Sequence, residues 1–119
     1  MKLAVTSSGP ELSSPVDQRF GRARYLVVVD LPSGSAKAVD NTLARDAAEG
    51  AGIQAAQNVI DNQAEVLLTG HCGPKAFRAL HAAGVDVYGV SGGTVAEAID
   101  RFEEGGLSKL AGADVNSHW

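Results

Sequence analysis

Glu65-Val66-Leu67-Leu68-Thr69-Gly70-His71-Cys72-Gly73-Pro74-Lys75-Ala76-Phe77 decides the fold. A short apolar run with a β-branched residue reads as a buried strand. Two glycines then enclose a tight loop, and Pro74 suits the first turn of a helix, where its missing N–H costs nothing. Phe77 and Leu80 share one face of that helix, which ends near Gly84. Val85–Val90 follows as another strand. A strand, a helix and a second strand in this order form a βαβ unit, and such units build parallel sheets.

Working outward, Leu3-Ala4-Val5 reads as a short buried strand, and Tyr25-Leu26-Val27-Val28-Val29 as a central one. Residues 7–18 are loop, broken by prolines and serines. Pro32-Ser33-Gly34-Ser35 is a turn that leads to an edge hairpin partner over Ala36–Asn41. Residues 42–49 are polar and read as a mobile loop. Gly50–Asn62 is a helix whose buried face is predicted to carry Ile53, Ala56 and Ile60. Thr94-Val95-Ala96-Glu97 fits a capping box, and Val95, Ile99 and Phe102 mark the buried stripe of the last helix. The order β-β-β-α-β-α-β-α predicts an α/β fold: a mixed five-stranded sheet, order 3-2-1-4-5, with helices on both faces. Residues 1–110 form a single domain, followed by a loosely ordered tail, 111–119. Ligands are expected in the crevice outside the carboxyl ends of the parallel strands. Thr6–Arg22, Gly70–Gly73 and Ser91–Gly93 should meet there.

Composition bounds the rest. The chain has 119 residues, 45% hydrophobic and 20% charged, which suits one soluble globular domain. Aromatics make up only 5%, so aliphatic residues must build the core. No apolar run approaches the ~20 residues of a membrane span, and no signal peptide is expected ahead of Lys2-Leu3-Ala4-Val5. The cytoplasm is the default location, with no membrane partner. A single cysteine, Cys72, excludes an internal disulfide and four-cysteine ligation of a zinc ion or iron–sulfur cluster within one chain. A net charge of −4 argues against a nucleic-acid partner. The charge is uneven, however. Arg19, Arg22 and Arg24 lie in a stretch without acids, as do Lys75 and Arg78, while the acids gather in Asp40–Glu49 and Glu97–Glu104. Such a chain can still bind a small anion.

Three motifs are candidates for that work. Gly70-His71-Cys72-Gly73-Pro74-Lys75 joins a strand end to a helix start, where unpaired N–H groups and a partial positive charge favour an anion. Lys75 adds a full charge, Cys72 a soft sulfur suited to Cu(I) and His71 a borderline nitrogen. The same residues also make a well-built turn with a buried cysteine, and the two readings stand level. Arg19-Phe20-Gly21-Arg22 sets two guanidiniums beside an apolar wall, a pattern that can neutralise an anion with several oxygens or sulfurs. Solvated charges at a strand start are the plainer alternative. Ser91-Gly92-Gly93-Thr94 can line a site or simply cap a helix. It is no Walker loop, and Gly50-Ala51-Gly52 lacks the strand and third glycine of a dinucleotide fingerprint. His81 and His118 carry no argument. Acid–base machinery is sparse: Thr6, Thr69 and Val90 stand at the strand ends, where a two-metal nuclease or phosphatase needs carboxylates. No enzyme is expected.

Asp17-Gln18-Arg19-Phe20-Gly21-Arg22-Ala23, Gly50-Ala51-Gly52-Ile53-Gln54-Ala55-Ala56, Leu68-Thr69-Gly70-His71-Cys72-Gly73-Pro74-Lys75-Ala76 and Thr94-Val95-Ala96-Glu97-Ala98-Ile99 occur in this order. The succession resembles the dinitrogenase iron–molybdenum cofactor biosynthesis family over roughly Met1 to Leu110. That resemblance implies a ribonuclease-H-like fold without nuclease carboxylates, and carriage of a metal–sulfur cofactor without turnover. Cys72 in Gly-His-Cys-Gly-Pro matches a subgroup of short stand-alone members that hold a molybdenum–copper sulfide cluster non-covalently. Many relatives carry a histidine shortly before Gly-Ala-Gly-Ile, where this chain reads Arg45-Asp46-Ala47-Ala48-Glu49, so no ligand is carried over there. The implied site comprises Arg19, Phe20, Gly21, Arg22, Gly70, His71, Cys72, Gly73, Lys75, Gly92 and Gly93, with Cys72 as the candidate metal contact. Alternatives are a carrier of an iron–molybdenum nitrogenase cofactor precursor, and a regulatory module for a P-loop ATPase partner. The oligomeric state is open between monomer and weak dimer.

Overall fold

The structure is a computed structural model that describes residues 1–47 and 50–111. Six strands form one sheet: β1 (Lys2–Ser7), β2 (Tyr25–Asp30), β3 (Ser35–Asp40), β4 (Val66–Thr69), β5 (Asp86–Gly89) and β6 (Ser108–Lys109). The helices are α1 (Thr42–Arg45), α2 (Ala51–Asp61), α3 (Pro74–Ala82) and α4 (Val95–Glu103), and a 3-10 turn spans Phe20–Arg22. The sheet order is β3-β2-β1-β4-β5-β6. β1, β2 and β3 make an antiparallel meander, while β4 and β5 join β1 in parallel. These are the expected order and directions, with one strand added. β6 pairs antiparallel with β5, and Leu110 N–H donates to Val87 O at 2.7 Å. This short addition covers an edge that would otherwise present unpaired backbone groups.

β1, β2 and β4 are nearly continuous apolar runs because both faces of the sheet are covered. On one face Ala4, Leu26, Val28 and Leu67 pack with Ala55, Ala56 and Val59 of α2 and Leu80 of α3. On the other, Leu3, Val5, Val27 and Leu68 pack with Val95, Ala98 and Ile99 of α4. The capping box forms as expected: Glu97 N–H donates to Thr94 Oγ1 at 3.2 Å, and Thr94 N–H to Glu97 Oε1 at 2.9 Å.

Two expectations are corrected here. Part of the expected 42–49 loop is helical over Thr42–Arg45. The Thr42 hydroxyl and then its N–H, 2.8 Å from Asp40 Oδ1, hold the Asp40 carboxyl below its usual range, and Ala44 is buried. Asn41, also buried, donates to Ala23 O at 2.8 Å and accepts from Asn58 Nδ2 at 2.6 Å. Ala48 and Glu49 lie outside the described residues, as does the expected tail beyond Ala111. The second correction concerns α2. Its buried positions are Ala51, Ala55, Ala56 and Val59, whereas Ile53 is 45% exposed and Ile60 half-buried. Small residues face inward because α2 lies close to its neighbours. A Cβ at Gly52 would sit 3.2 Å from Ala76 Cβ of α3, and a Cβ at Gly21 would sit 3.0 Å from Gly52 N.

Candidate functional site

The packing that brings Gly21, Gly52 and Ala76 together also gathers three chain segments around a cavity of about 560 Å³, open to solvent on one side. Arg19–Arg22 form one wall, Gly50–Ile53 at the start of α2 the second, and His71 with Gly73–Ala76 at the start of α3 the third. Two backbone bonds set the first wall against the third. His71 N–H donates to Gln18 O at 2.7 Å, and Phe20 N–H donates to His71 O at 3.0 Å. Arg19 and His71 are thereby paired in parallel like neighbouring strand residues. Gly70 is required there, since a Cβ would fall 2.6 Å from Gln18 O. The Gln18 side chain ties in a third loop: with its amide oriented to suit its neighbours, it donates to Val90 O at 2.9 Å and accepts from Gly92 N–H at 3.1 Å.

The electrostatics of the cavity are one-sided. Arg19, Arg22 and Lys75 line it, and among the described residues no carboxylate does. Arg22 is partly committed: its Nη1 donates to Arg45 O at 2.8 Å and Ala47 O at 3.0 Å, anchoring the end of α1. Asp17, the nearest acid in sequence, accepts from Arg19 N–H at 2.9 Å. Exposed charges of this kind give about 1 kcal/mol each at 4 Å in water, so they need help from neutral donors to hold a ligand tightly.

Such donors are present. Neither α2 nor α3 has a side-chain cap at its N-terminus. Their first intrahelical bonds are Gln54 N–H to Gly50 O and Phe77 N–H to Gly73 O, both 2.9 Å. The N–H groups of Ala51, Gly52, Ile53, Lys75 and Ala76 therefore have no partner within their helices, and both positive helix ends border the cavity. α4 starts elsewhere and carries a full capping box. Of the three longer helices α2, α3 and α4, the two without a side-chain cap are thus those that meet at the cavity. Ile53, 45% exposed, adds apolar surface, while the expected Phe20 wall is buried at 2% exposure and backs the cavity from the core.

The expected site residues divide. Arg19, Phe20, Gly21, Arg22, His71, Gly73 and Lys75 meet at this cavity, while Gly70 shapes it from behind. Gly92 and Gly93 do not line it. They take φ values of +104° and +87°, and Gly93 O accepts from Val16 N–H at 2.9 Å, which pins the 8–18 loop. Cys72 also points elsewhere. It is 2% exposed, packed in the core with Phe20, Ala76 and Leu80, with Sγ 3.8 Å from Gly73 O. Burial pushes its thiol up to about 12, so it is neutral near pH 7. Among the described residues no group of three His, Cys, Asp or Glu side chains comes together to hold a metal ion. No described helix is long and apolar enough to cross a membrane.

The start of α2 was not foreseen as part of the site from its residues. Its signal was a missing one: a helix start at Gly50-Ala51-Gly52 with no Ser, Thr, Asp or Asn to cap it.

Comparison with known proteins adds to this geometry. The family model for the dinitrogenase iron–molybdenum cofactor matches residues 1–105. The apo form of the orange protein from Desulfovibrio gigas has the same fold, with a TM-score of 0.90 and 48% identity over 92% of both chains. A Thermotoga protein named as a candidate NifB superimposes with a TM-score of 0.81 and 44% identity, also over 92% of each chain. An uncharacterised protein of Methanocaldococcus jannaschii is 30% identical over 113 residues, 92% of each chain.

Proposed function

The chain belongs to the dinitrogenase iron–molybdenum cofactor family, and on that premise we propose that it carries an anionic molybdenum–copper sulfide cluster as cargo, held without a covalent bond. One observation carries the reading: an open cavity of about 560 Å³ lined by three cations and two uncapped helix starts, with no carboxylate on its walls among the described residues. The resemblance of the Gly70-His71-Cys72-Gly73-Pro74 stretch to the short stand-alone members that hold this cluster favours it over others.

The donor set fits such a species. Sulfides already bonded to metal need charge neutralisation and N–H donors, not further thiolates. Arg19, Arg22 and Lys75 supply the charge. The N–H groups at the starts of α2 and α3 supply neutral donors that need no reorganisation on binding. Ile53 offers apolar contact to a soft, weakly hydrated surface. Cys72 lies under the α3 start as packing, so its role is to support the loop and not to ligate copper. Carriage without turnover agrees with the strand ends, where Thr6 and Thr69 are buried and hydrogen-bonded to each other at 2.8 Å.

The test is assembly of the cluster from thiomolybdate and Cu(I) on the purified protein, followed through gel filtration by visible absorption and metal analysis. Retention of molybdenum and copper with the protein, lost in Arg19→Gln/Lys75→Gln, supports the reading. Equal retention by that double variant overturns the cradle. The family also favours a second reading, an iron–molybdenum nitrogenase cofactor precursor in the same cavity. Iron in the protein purified from its native host, in place of copper, would select it.

A further inference from the structure

A second depression, of about 410 Å³, lies beyond the carboxyl ends of β4 and β5. Its walls come from Gly70 and His71 after β4, Val90 and Ser91 after β5, Arg101 of α4, and Leu107 and Ser108 leading into β6. This is where an open α/β sheet is expected to bind ligands, yet the cargo cavity lies to the side, over the helix starts. The two cavities share one lining residue, His71.

We propose that this depression is a second anion site, taking the oxyanion group of a small molecule independently of the cluster cavity. Arg101 supplies the charge. Among the described residues it forms no ion pair within 4 Å and no acid lines the depression. Glu97, one turn earlier on α4, accepts from Thr94 N–H at 2.9 Å and feels the Arg101 charge without closing an ion pair with it, so the guanidinium is only partly offset. Ser91 and Ser108 place hydroxyl groups on two walls and Leu107 offers an apolar patch, so the site suits an oxyanion joined to a short organic body. The frame is rigid, because Val90 N–H donates to Thr69 O at 2.8 Å and the Gln18 amide locks Val90 and Gly92. Closure by α4 is also fixed, since Gly106 N–H donates to Arg101 O at 2.8 Å.

The experiment titrates the full-length protein, without cluster, with inorganic phosphate and separately with acetate at low ionic strength, reading amide shifts of Ser91, Ser108 and Gly70. Saturable shifts are expected with at least one of the two, weakened about tenfold or more in Arg101→Gln, a loss typical of a charge-assisted bond. They should persist in Arg19→Gln/Lys75→Gln, and Arg101→Lys should recover part of the affinity. Phosphate alone would point to a phosphorylated ligand, and acetate alone to a carboxylate. No saturation with either anion, or equal binding in Arg101→Gln, overturns the proposal. So does loss in the Arg19/Lys75 variant with Arg101→Gln unaffected. Ser91→Ala serves as the reporter if Arg101→Gln fails to fold, and unchanged binding in it and in Arg101→Lys likewise counts against the site.

Discussion

Gly70→Ala should cost this protein far more than an added methyl group suggests. The new Cβ would fall 2.6 Å from Gln18 O and 2.7 Å from Gln18 Cα, both backbone atoms. Ordinary contact needs about 3.5 Å, so the two segments must part by about 1 Å. The bonds between them, 2.7 and 3.0 Å at present, would then pass the ~3.5 Å limit of a hydrogen bond. Two bonds at about 1 kcal/mol each, with residual overpacking of up to a few kcal/mol, give a loss of about 2–4 kcal/mol. With a urea dependence of about 1.5 kcal/mol per molar, the unfolding midpoint should drop by roughly 2 M. Gly89→Ala is the control: its Cβ meets only Leu110 Cδ2 at an ordinary 3.5 Å, and the midpoint should barely move. Arg19–Arg22 would also lose their register with His71–Lys75, so cluster retention should fall in parallel. A Gly70→Ala protein with a midpoint within about 0.3 M of the parent would refute the steric reasoning. Full stability with lost cargo would show that the pairing serves the cavity alone.

Cluster affinity should fall steeply between 50 mM and 500 mM NaCl, since exposed charges are screened over about 10 Å at 0.1 M; competition binding at a salt series checks this. Cys72→Ser should retain the cluster within about threefold while losing about 1–3 kcal/mol for a hydroxyl placed in an apolar setting, seen by metal analysis and urea melts. The native thiol should react with iodoacetamide at pH 8 about a thousandfold more slowly than the unfolded chain, because a value of about 12 leaves almost no thiolate. The same shift has a sign: stability from the neutral thiol is intact below the unfolded value of about 8.5 and declines as pH rises toward 12. Cys72→Ala should therefore lose less stability than the parent between pH 8 and 11. Thr94→Ala, which removes the cap of α4, should cost about 1 kcal/mol or about 4 °C in Tm by calorimetry, without affecting cluster retention.

Sheet order was legible because Leu3–Val5, Tyr25–Val29 and Val66–Thr69 are apolar runs of strand length, and right-handed crossovers leave few ways to join them. β6 was not legible, because Ser108-Lys109 is too short for any alternation to show. The Arg19–Arg22 and His71–Lys75 walls announced themselves through charge and glycine. The direction of Cys72 could not be read, because a loop has no period to say which side chains turn inward. Gly92 and Gly93 were expected beside the ligand because glycine pairs often line sites. They do not line the cluster cavity, and their positive φ values and the Val16–Gly93 bond shape a loop. The stripe on α2 failed for a related reason: helical spacing finds large apolar residues, while this interface is built from small ones so that backbones can approach.

The inward turn of Cys72 has a consequence for handling the protein. It is the chain's sole sulfhydryl, and it cannot meet a second copy, or a stray copper ion, without opening the core. The polypeptide is then a redox-silent background. Any colour change, electron count or air sensitivity in a loaded sample would belong to the cargo, and the chain alone should survive oxidising purification uncrosslinked.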